Sequence, residues 1–359
     1  MTPTTTLAAV FRGPDQSLEL QQISLPEVTG TTLLVEVVAC TLCGSDLHTM
    51  HGRRSVPTPS ILGHEILGRV VAFGPEALRV DAAGLSLRLG DRVTWGIVAH
   101  CGDCFYCQRG LPQKCEKQVK YGHEPLRPGL ELTGGLARHC LLAPGTTILR
   151  VPADLSDDVV CPANCATATV AAAIDAVDQI EGRSVLVMGS GMLGVTAMAW
   201  SSTLGASAVI ACDVTQERLD LAERFGATHR ATPKDLPRVI HEATGGYGVD
   251  VAFELTGASE SVEAILPRLR VGGTAVLVGS VFPVPPIPMA PEQVVRRCLT
   301  IRGIHNYGPK HLRAALEFLA GQPPFPFAEL VSEWQPLAEI NQVIKRPSLP
   351  GQLRLGIRP

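Results

Sequence analysis

The sequence predicts an α/β protein of two domains, one mostly β and the other built on a doubly wound parallel sheet. Three observations support this prediction. The chain has 359 residues, which is more than one domain usually contains. Its first 150 residues are rich in Gly, Pro and short β-like segments, whereas strand and helix patterns alternate from about residue 156. A glycine-rich turn, Gly189–Gly194, joins one of these strands to the helix that follows.

The mostly β part contains two segments enriched in β-branched residues, Thr32–Cys40 and Ile66–Phe73. Gly90–Val93 (GDRV) is typical of a turn that enters a further strand. After about Cys298 the sequence returns to a mixed character, so we expect the C-terminal tail to rejoin the first domain. The predicted domains are therefore residues 1–155 together with 299–359, and residues 156–298.

The second domain shows the alternation of strands and helices most clearly. The predicted strands are Ser184–Met188, Val209–Cys212, Val249–Glu254 and Thr274–Val278, and the predicted helices are Cys165–Val177, Met192–Leu204, Gln216–Phe225 and Ser259–Leu269. The segment Ser184–Cys212 carries no charge and is long enough to span a membrane. Because glycines interrupt it and strands buried on both faces are equally apolar, we predict a sheet segment and no membrane association.

Composition excludes other classes of protein. Charged residues make up 18% of the chain and the net charge is −3, which gives no electrostatic basis for a nucleic-acid partner. The N-terminus has no pattern of basic and long apolar regions typical of a signal peptide. The eleven cysteines have the spacing of metal-binding loops rather than that of a small secreted disulfide framework. These features predict a cytoplasmic protein.

Four cysteines lie within fifteen residues: Cys101, Cys104, Cys107 and Cys115. Their spacing, C-x2-C-x2-C-x7-C, lets one loop surround a tetrahedral zinc ion. Four thiolates leave no open coordination position, so this zinc would be structural. An iron–sulfur cluster is the alternative, but its bacterial sequence pattern has a last spacer of three residues followed by Pro.

The glycine-rich turn has the spacing G-x-G-x-x-G of a dinucleotide-binding loop. The first glycine permits the tight turn, the second lets the backbone approach a pyrophosphate, and the third packs the helix on the sheet. Asp213 ends the next strand, where a carboxylate accepts hydrogen bonds from ribose hydroxyls and repels a 2′-phosphate. We therefore predict NAD rather than NADP. The predicted cofactor-binding residues are Gly189, Gly191, Met192, Leu193, Gly194, Asp213, Arg218 and Thr169.

A second group of metal-ligand residues lies in Cys43–His48 (CGSDLH) and Gly63–Gly68 (GHEILG), with a thiolate and an imidazole some twenty residues apart. These two motifs, the four-cysteine loop, GDRV and GSGMLG occur in one order along most of the chain. In this the chain resembles the zinc-dependent medium-chain dehydrogenase/reductase family of alcohol dehydrogenases. The resemblance implies a GroES-like catalytic domain, a Rossmann domain and two zinc ions per chain.

The resemblance also implies the roles of individual residues. Cys165 would be the third ligand of a catalytic zinc beside Cys43 and His64, with Cys161 as a nearby rival. Asp46 would orient the ligand histidine. Glu65 would be an acid behind the metal that enters its coordination shell transiently.

Two residues of the CGSDLH motif would move a proton. By resemblance, Ser45 accepts the hydroxyl proton of an alcohol and passes it through the cofactor ribose to His48, while hydride goes to NAD. The substrate would be a small alcohol or carbonyl compound. The alternatives are a zinc-free quinone or enone reductase of the same superfamily, which lacks this ligand set, and a non-catalytic nucleotide-binding zinc protein.

The loops that would line the substrate site contain Arg53 and Arg54, and further along the chain His305 and Tyr307. Arginines in the site would suit a polar or anionic alcohol, and both stretches resemble the dehydrogenases associated with phosphonate catabolism. The alternative is that these arginines are solvated loop charges. Family members are dimers or tetramers, which implies a homodimer or homotetramer, often paired through the sheet edge near Thr274–Ile304.

Overall fold

The computed structural model describes residues 4–346 and 351–359, which form two compact units. The first unit holds the described residues of Met1–Ala168, Gly308–Ala320 and Phe327–Pro359, and the second holds Thr169–Tyr307 and Gly321–Pro326. The division differs from the predicted boundaries, because residues 156–168 belong to the first unit and residues 299–307 to the second.

The described part of the chain alternates short strands and helices. The strands are β1 (Thr5–Phe11), β2 (Glu19–Ser24), β3 (Leu33–Leu42), β4 (Ser60–Ile61), β5 (Glu65–Phe73), β6 (Arg92–Ala99), β7 (Val119–Lys120), β8 (His139–Leu142), β9 (Thr146–Arg150), β10 (Ser184–Met188), β11 (Ala208–Cys212), β12 (His229–Ala231), β13 (Val249–Glu254), β14 (Leu269–Leu277), β15 (Thr300–Gly303), β16 (Gln335–Pro336) and β17 (Leu355–Arg358). The α-helices are α1 (Gly44–Met50), α2 (Asp157–Val160), α3 (Ala166–Asp175), α4 (Met192–Thr203), α5 (Gln216–Arg224), α6 (Leu236–Thr244), α7 (Ser259–Ile265), α8 (Pro291–Arg296), α9 (Pro309–Ala320) and α10 (Ile340–Val343). Short 3-10 helices cover Cys107–Arg109, Pro112–Lys114, Cys161–Asn164, Leu266–Arg268, Phe327–Leu330 and Leu337–Glu339.

The second unit is built on a six-stranded sheet in the order β12-β11-β10-β13-β14-β15, with every neighbouring pair parallel. Numbered within this sheet, the order is 3-2-1-4-5-6, that of a doubly wound nucleotide-binding sheet. The strand order reverses between β10 and β13, which is the topological switch point of the sheet. Ligands of such sheets bind beyond the carboxyl ends of the strands at that point. The glycine-rich turn follows β10 and therefore lies there.

Four elements of this sheet region were not predicted: β12, β15, α6 and α8. Both strands are edge strands of three or four residues, so their sequences lack the continuous apolar run of β10 or β13. For α6 a signal was present, because its buried residues Leu236, Val239 and Ile240 have helical spacing.

The first unit contains an eight-stranded sheet with the path β16-β17-β3-β5-β6-β7, where β8 also pairs with β3 and β9 with β6. A three-stranded sheet has the order β2-β1-β4. The C-terminal strand β17 pairs antiparallel with β3, so the tail completes the first unit's sheet. The core between these elements includes the fully buried side chains of Trp95, Tyr121 and Ile66.

Ser184–Cys212 forms β10, α4 and β11, as expected for a sheet segment. Within the parts of the chain that the structure describes, no helix combines the length and the apolar character needed to cross a bilayer.

Candidate functional site

Four potential metal ligands of the first unit converge at one point: Cys43, His64, Glu65 and Cys165. Their ligand atoms all lie within 4.8 Å of one another. Cys43 is the N-cap of α1, His64 lies between β4 and β5, and Cys165 directly precedes α3. The starts of α1, β5 and α3 thus meet at one point and bring together residues that are distant in sequence.

The orientation of His64 is set by a buried carboxylate. Asp46 Oδ1 accepts hydrogen bonds from His64 Nδ1 (3.1 Å) and from the backbone N–H of Gly63 (3.2 Å). Its Oδ2 accepts the N–H of Cys43 at 2.9 Å, so the same side chain caps α1. Burial lowers the pKa of His64, but the charge and hydrogen bond of Asp46 outweigh it and raise the pKa to about 10. With Nδ1 held by Asp46, Nε2 is the ring nitrogen that faces the other ligands, 3.5 Å from Cys165 Sγ, and it would bind a metal on loss of its proton.

Glu65, although close to the other ligands, is engaged elsewhere. Its carboxylate accepts hydrogen bonds from Arg354 Nε (2.8 and 3.0 Å), from Arg354 Nη2 (2.8 Å) and from Thr41 Oγ1 (2.6 Å). Arg354 also approaches Cys43 Sγ at 3.6 Å. The sequence analysis did not identify Arg354, because it lies 289 residues beyond Glu65 and only the pairing of β17 with β3 brings its segment here.

The two rival cysteines have different surroundings. Cys165 Sγ lies 3.5 Å from His64 Nε2, whereas Cys161 Sγ donates to the backbone carbonyl oxygen of Glu65 at 3.3 Å. The side chain of Asn164 fixes this segment, because its Nδ2 donates to the carbonyl oxygens of His64 (3.0 Å) and Trp95 (2.9 Å). The structure therefore brings Cys165 into the cluster and leaves Cys161 out of it.

Two sulfurs and one imidazole suit zinc, which binds Cys and His at tetrahedral sites. A hydrogen bond from Cys165 holds the pKa of Cys43 well below its usual range despite burial, and the charge of Arg354 acts in the same direction. Cys43 is thus predisposed to the thiolate form that binds a metal.

The helix α1 also carries the two residues predicted to move a proton. Ser45 Oγ lies 3.4 Å from His64 Nε2, directly beside the metal-ligand cluster. His48 lies one turn further along the helix and is half-buried. Burial, and then the nearby charge of Arg53, lowers the pKa of His48, so its imidazole is neutral and able to accept a proton.

The four cysteines Cys101, Cys104, Cys107 and Cys115 form a second group whose sulfurs lie within 4.8 Å of one another. The distances from Cys115 Sγ are 3.4 Å to Cys101 and 3.9 Å to Cys104. A tetrahedral zinc with bonds of about 2.3 Å separates its sulfurs by roughly 3.8 Å. The spacing in the structure therefore fits the predicted structural ion.

In the second unit, each glycine of the GSGMLG turn has a separate steric reason. Gly189 has a φ of +94°. A Cβ on Gly194 would lie 1.8 Å from the carbonyl oxygen of Gly189, so the helix could not approach the turn. A Cβ on Gly191 would meet nothing within 4 Å, which leaves open space at the start of α4. Met192 and Leu193 form the first turn of this helix.

Asp213 directly follows β11 and faces the glycine turn. Its Oδ2 accepts the backbone N–H of Ser190 at 2.7 Å, and its Oδ1 accepts that of Val214 at 2.7 Å. Arg218 is half-buried in α5, and Thr169 is half-buried in α3. The structure thus brings Asp213 to the glycine loop through a direct hydrogen bond.

The predicted substrate residues fall into different environments. Arg53 is exposed, whereas Arg54 is half-buried, and the charges of Asp46, Cys43 and Cys165 act on its guanidinium. His305 and Tyr307 belong to the second unit, where His305 is exposed and Tyr307 is buried. The structure thus connects Arg54 to the metal-ligand cluster through these electrostatic interactions.

Two further basic residues near the cluster were missed by the sequence analysis. The ring of His123 lies 5.3 Å from that of His64, centroid to centroid. Lys120 precedes it in β7 and is half-buried. No spacing rule connects these residues to His64, because they meet it through the pairing of β7 with β6.

Two family profiles match the chain. The description "Alcohol dehydrogenase GroES-like domain" matches residues 30–153, and "Zinc-binding dehydrogenase" matches residues 193–321. With the parallel sheet of the second unit, they confirm the predicted α/β fold of a GroES-like and a Rossmann domain.

Individual relatives extend this similarity over the whole chain. An alcohol dehydrogenase of Geobacillus stearothermophilus is 31% identical over 96% of this chain and 97% of its own length. An L-threonine 3-dehydrogenase of Vibrio cholerae is 29% identical over 82% of both chains. The crystal structure of an alcohol dehydrogenase from Thermotoga maritima superposes with a TM-score of 0.92 at 28% identity, covering 99% of this chain and 100% of that one. Benzyl alcohol dehydrogenase from Acinetobacter calcoaceticus has a TM-score of 0.85 at 28% identity, with 99% of each chain covered.

Proposed function

Since the chain belongs to the zinc-dependent medium-chain dehydrogenase/reductase family, we propose that this oxidoreductase is an NAD-dependent alcohol dehydrogenase. It would transfer hydride between an alcohol and NAD and yield the aldehyde or ketone. The substrate would be a secondary or a polar, anionic alcohol.

The observation that carries this proposal is the engagement of Glu65. Because Arg354 and Thr41 occupy its carboxylate, the described residues of the cluster leave a metal three donors, Cys43, His64 and Cys165. Three protein ligands leave one position of a tetrahedral zinc open for a substrate oxygen, as in catalytic rather than structural sites. When bound there, zinc supplies Lewis-acid activation, which lowers the pKa of a hydroxyl group and polarises a carbonyl.

The chain's own residues complete the proton pathway. Ser45 stands beside His64 Nε2, where it can accept the hydroxyl proton of a substrate. His48, on the same helix, has a lowered pKa and is the group to which Ser45 would relay the proton. Asp46 holds His64 in the tautomer whose Nε2 lone pair faces a metal.

The choice of NAD is supported by Asp213. Its carboxylate is anchored by the N–H groups of Ser190 and Val214 at the end of β11. A negative charge fixed there favours ribose hydroxyls and disfavours a 2′-phosphate.

The remaining proposals concern the metal content and the compartment. The two ligand groups together would bind two zinc ions per chain. All eleven cysteines are free, which suits a reducing compartment such as the cytoplasm.

The experiment that tests the function is an initial-rate panel at 340 nm, with NAD and alcohols that are neutral, polyhydroxylated or anionic. We expect NAD reduction with at least one class and a loss of at least about 100-fold in kcat/KM for Ser45→Ala. Ser86→Ala, which removes the same hydroxyl from an exposed serine of the same unit, serves as the control for folding. A zinc-loaded protein that binds NADH yet neither oxidises these alcohols nor reduces the matching carbonyls would refute the proposal.

A further inference from the structure

Two cations, Arg54 and Lys120, lie close enough to the metal-ligand cluster for its charges to act on them. Both are half-buried. Among the residues that the structure describes, neither side chain forms an ion pair or a hydrogen bond. Removing a charge from water without pairing it costs free energy, so such a pair of cations needs an explanation.

The backbone places both cations near His64. The N–H groups of Arg53 and Arg54 donate to the carbonyl oxygen of His48, which ties this loop to the end of α1. Lys120 pairs with Val98 in the sheet, and two residues later Gly122 packs so closely that a Cβ there would lie 3.1 Å from His64 Cβ. The segment after β7 therefore runs directly alongside the metal-ligand loop.

Electrostatics agrees with this placement. Burial, and then the charge of Arg54, lowers the pKa of Lys120 to about 8. Burial and the charges of His64, Arg54 and Lys120 hold the pKa of His123 well below its usual range. Arg54, Lys120 and His123 are thus close enough to influence one another, and His123 adds a neutral polar ring to the same wall.

The nearby carboxylates are already paired. Asp46 binds His64 Nδ1, Glu65 binds Arg354, and Glu124 accepts the backbone N–H of Lys120 and pairs with Arg127. The remaining anions are the thiolates of Cys43 and Cys165, which a divalent metal would neutralise. With a metal bound, its charge would offset the two thiolates, and the two cations would exceed the remaining negative charge of Asp46 beside a neutral His64 by one positive charge.

We propose that Arg54 and Lys120 bind an oxyanion group of the alcohol substrate, so that the enzyme acts on short alcohols carrying a phosphate-like or carboxylate group. Arginine offers a planar fork that matches two oxyanion oxygens, and lysine adds a point charge. The proposal rests on the alcohol dehydrogenase function and specifies its substrate class. Of the two arginines that the sequence analysis named as candidate substrate residues, the proposal assigns Arg54 and not Arg53 to this role.

The test compares Arg54→Gln, Lys120→Gln and the double variant with Lys117→Gln, which removes the same charge from an exposed lysine paired with Asp103. Steady-state rates are measured with NAD and three alcohols: 2-hydroxyethyl phosphate, 3-hydroxybutyrate and neutral 2-butanol. Each single site variant should lose about 10- to 100-fold in kcat/KM for an anionic alcohol, mainly through KM. Rates with 2-butanol should change by less than about 3-fold, and Lys117→Gln should match the wild type throughout.

A binding measurement separates this proposal from the proposed function. Titration calorimetry of the NADH-loaded protein with methyl phosphate should show binding that the double variant weakens at least about 10-fold. Equal losses for neutral and anionic alcohols, or unchanged methyl phosphate binding in the double variant, would overturn the oxyanion site while leaving the dehydrogenase intact. Methyl phosphate binding that depends on Arg54 and Lys120 in a protein that oxidises no alcohol would instead support the site and refute the function.

Discussion

Asp46 shows how one side chain can serve the helix and the site together. Its carboxylate accepts the N–H of Cys43 at the start of α1 and holds His64 Nδ1 at 3.1 Å. The helix cap and the histidine orientation therefore depend on the same residue. Its spacing to Cys43 is visible in the sequence, but its contact with His64 had to be inferred from a family resemblance.

Short spacings and motifs in the sequence pointed to the four-cysteine loop and to Cys43 and His64, whereas Cys165 came from the family resemblance, with Cys161 as a rival. It could not identify Arg354 or Lys120. Neither belongs to a local pattern, and both reach the cluster through strand pairing between distant segments. The charge balance at the site depends on these two residues, so substrate class was the least predictable feature.

Asp213 should control the choice of cofactor. In Asp213→Ala the negative charge at the end of β11 is lost, so the repulsion of a 2′-phosphate disappears. We expect the ratio of kcat/KM for NAD to that for NADP to fall at least about 10-fold, which corresponds to about 1.4 kcal/mol. Steady-state rates with both cofactors measure this ratio. Asp220→Asn, which changes an acid of helix α5 in an exposed ion pair with Arg230 of β12, should leave the ratio unchanged. An unchanged ratio in Asp213→Ala itself would refute the assignment.

At the scale of elements, the central strands β10, β11 and β13 were predictable to within one residue, whereas β14 begins at Leu269 rather than the predicted Thr274 and the edge strands were missed. β10 and β13 have the bounds that the sequence predicts, because both faces of a central strand are buried and the apolar run is continuous. β12 and β15 lie at the two edges of the same sheet, where polar residues are tolerated and the run is lost. The first unit's strands β3 and β5 were located to within two residues for the same reason.

The strand–turn–helix element offers a paired test of its glycines. Gly194→Ala forces a Cβ to within 1.8 Å of the Gly189 carbonyl oxygen, so α4 must shift. We expect a loss of about 1–3 kcal/mol in unfolding free energy, measured by denaturant titration. Gly191→Ala meets no atom within 4 Å and should retain stability, but its methyl group should weaken NADH binding in a fluorescence titration. The reverse pattern of stabilities would contradict the steric roles given to these glycines.

A half-buried ionic cluster around Asp250 in β13 should make stability depend on pH. Burial raises the pKa of the Asp250 carboxyl group. Hydrogen bonds from the N–H and Oγ of Ser184 and the charge of Arg270 outweigh burial and lower this pKa to about 2. Because its pKa is lowered on folding, the ionised carboxylate stabilises the folded protein at pH values above its ordinary pKa of 3.8. This stabilisation is lost as the pH falls toward 2.

The variant Asp250→Asn should therefore be destabilised at pH 7 by about 1–2 kcal/mol after allowance for solvent screening. The difference from the wild type should shrink between about pH 4 and pH 2, as followed by urea unfolding at each pH. Asp220→Asn, in an exposed ion pair, should have little effect at any pH. A destabilisation of Asp250→Asn that is constant from pH 7 to pH 2 would exclude the electrostatic origin.

At the scale of the whole molecule, the chain combines a mostly antiparallel GroES-like unit, which carries both metal-ligand groups, with a parallel sheet that carries the dinucleotide loop. A homodimer or homotetramer stays a prediction from family resemblance. β15 is the edge strand of the parallel sheet and has unpaired backbone groups on one side within the described chain, which is where a second copy could continue the sheet.

The central claim is that Cys43, His64 and Cys165 hold a catalytic zinc while the four-cysteine loop holds a second ion. Elemental analysis of zinc per chain, made on the wild type, Cys165→Ala and Cys161→Ala, tests it most directly, since the two variants lose the same side chain four residues apart. We predict two ions in the wild type, one in Cys165→Ala with activity lost, and two in Cys161→Ala. One ion in the wild type, or two ions in Cys165→Ala, would contradict the claim.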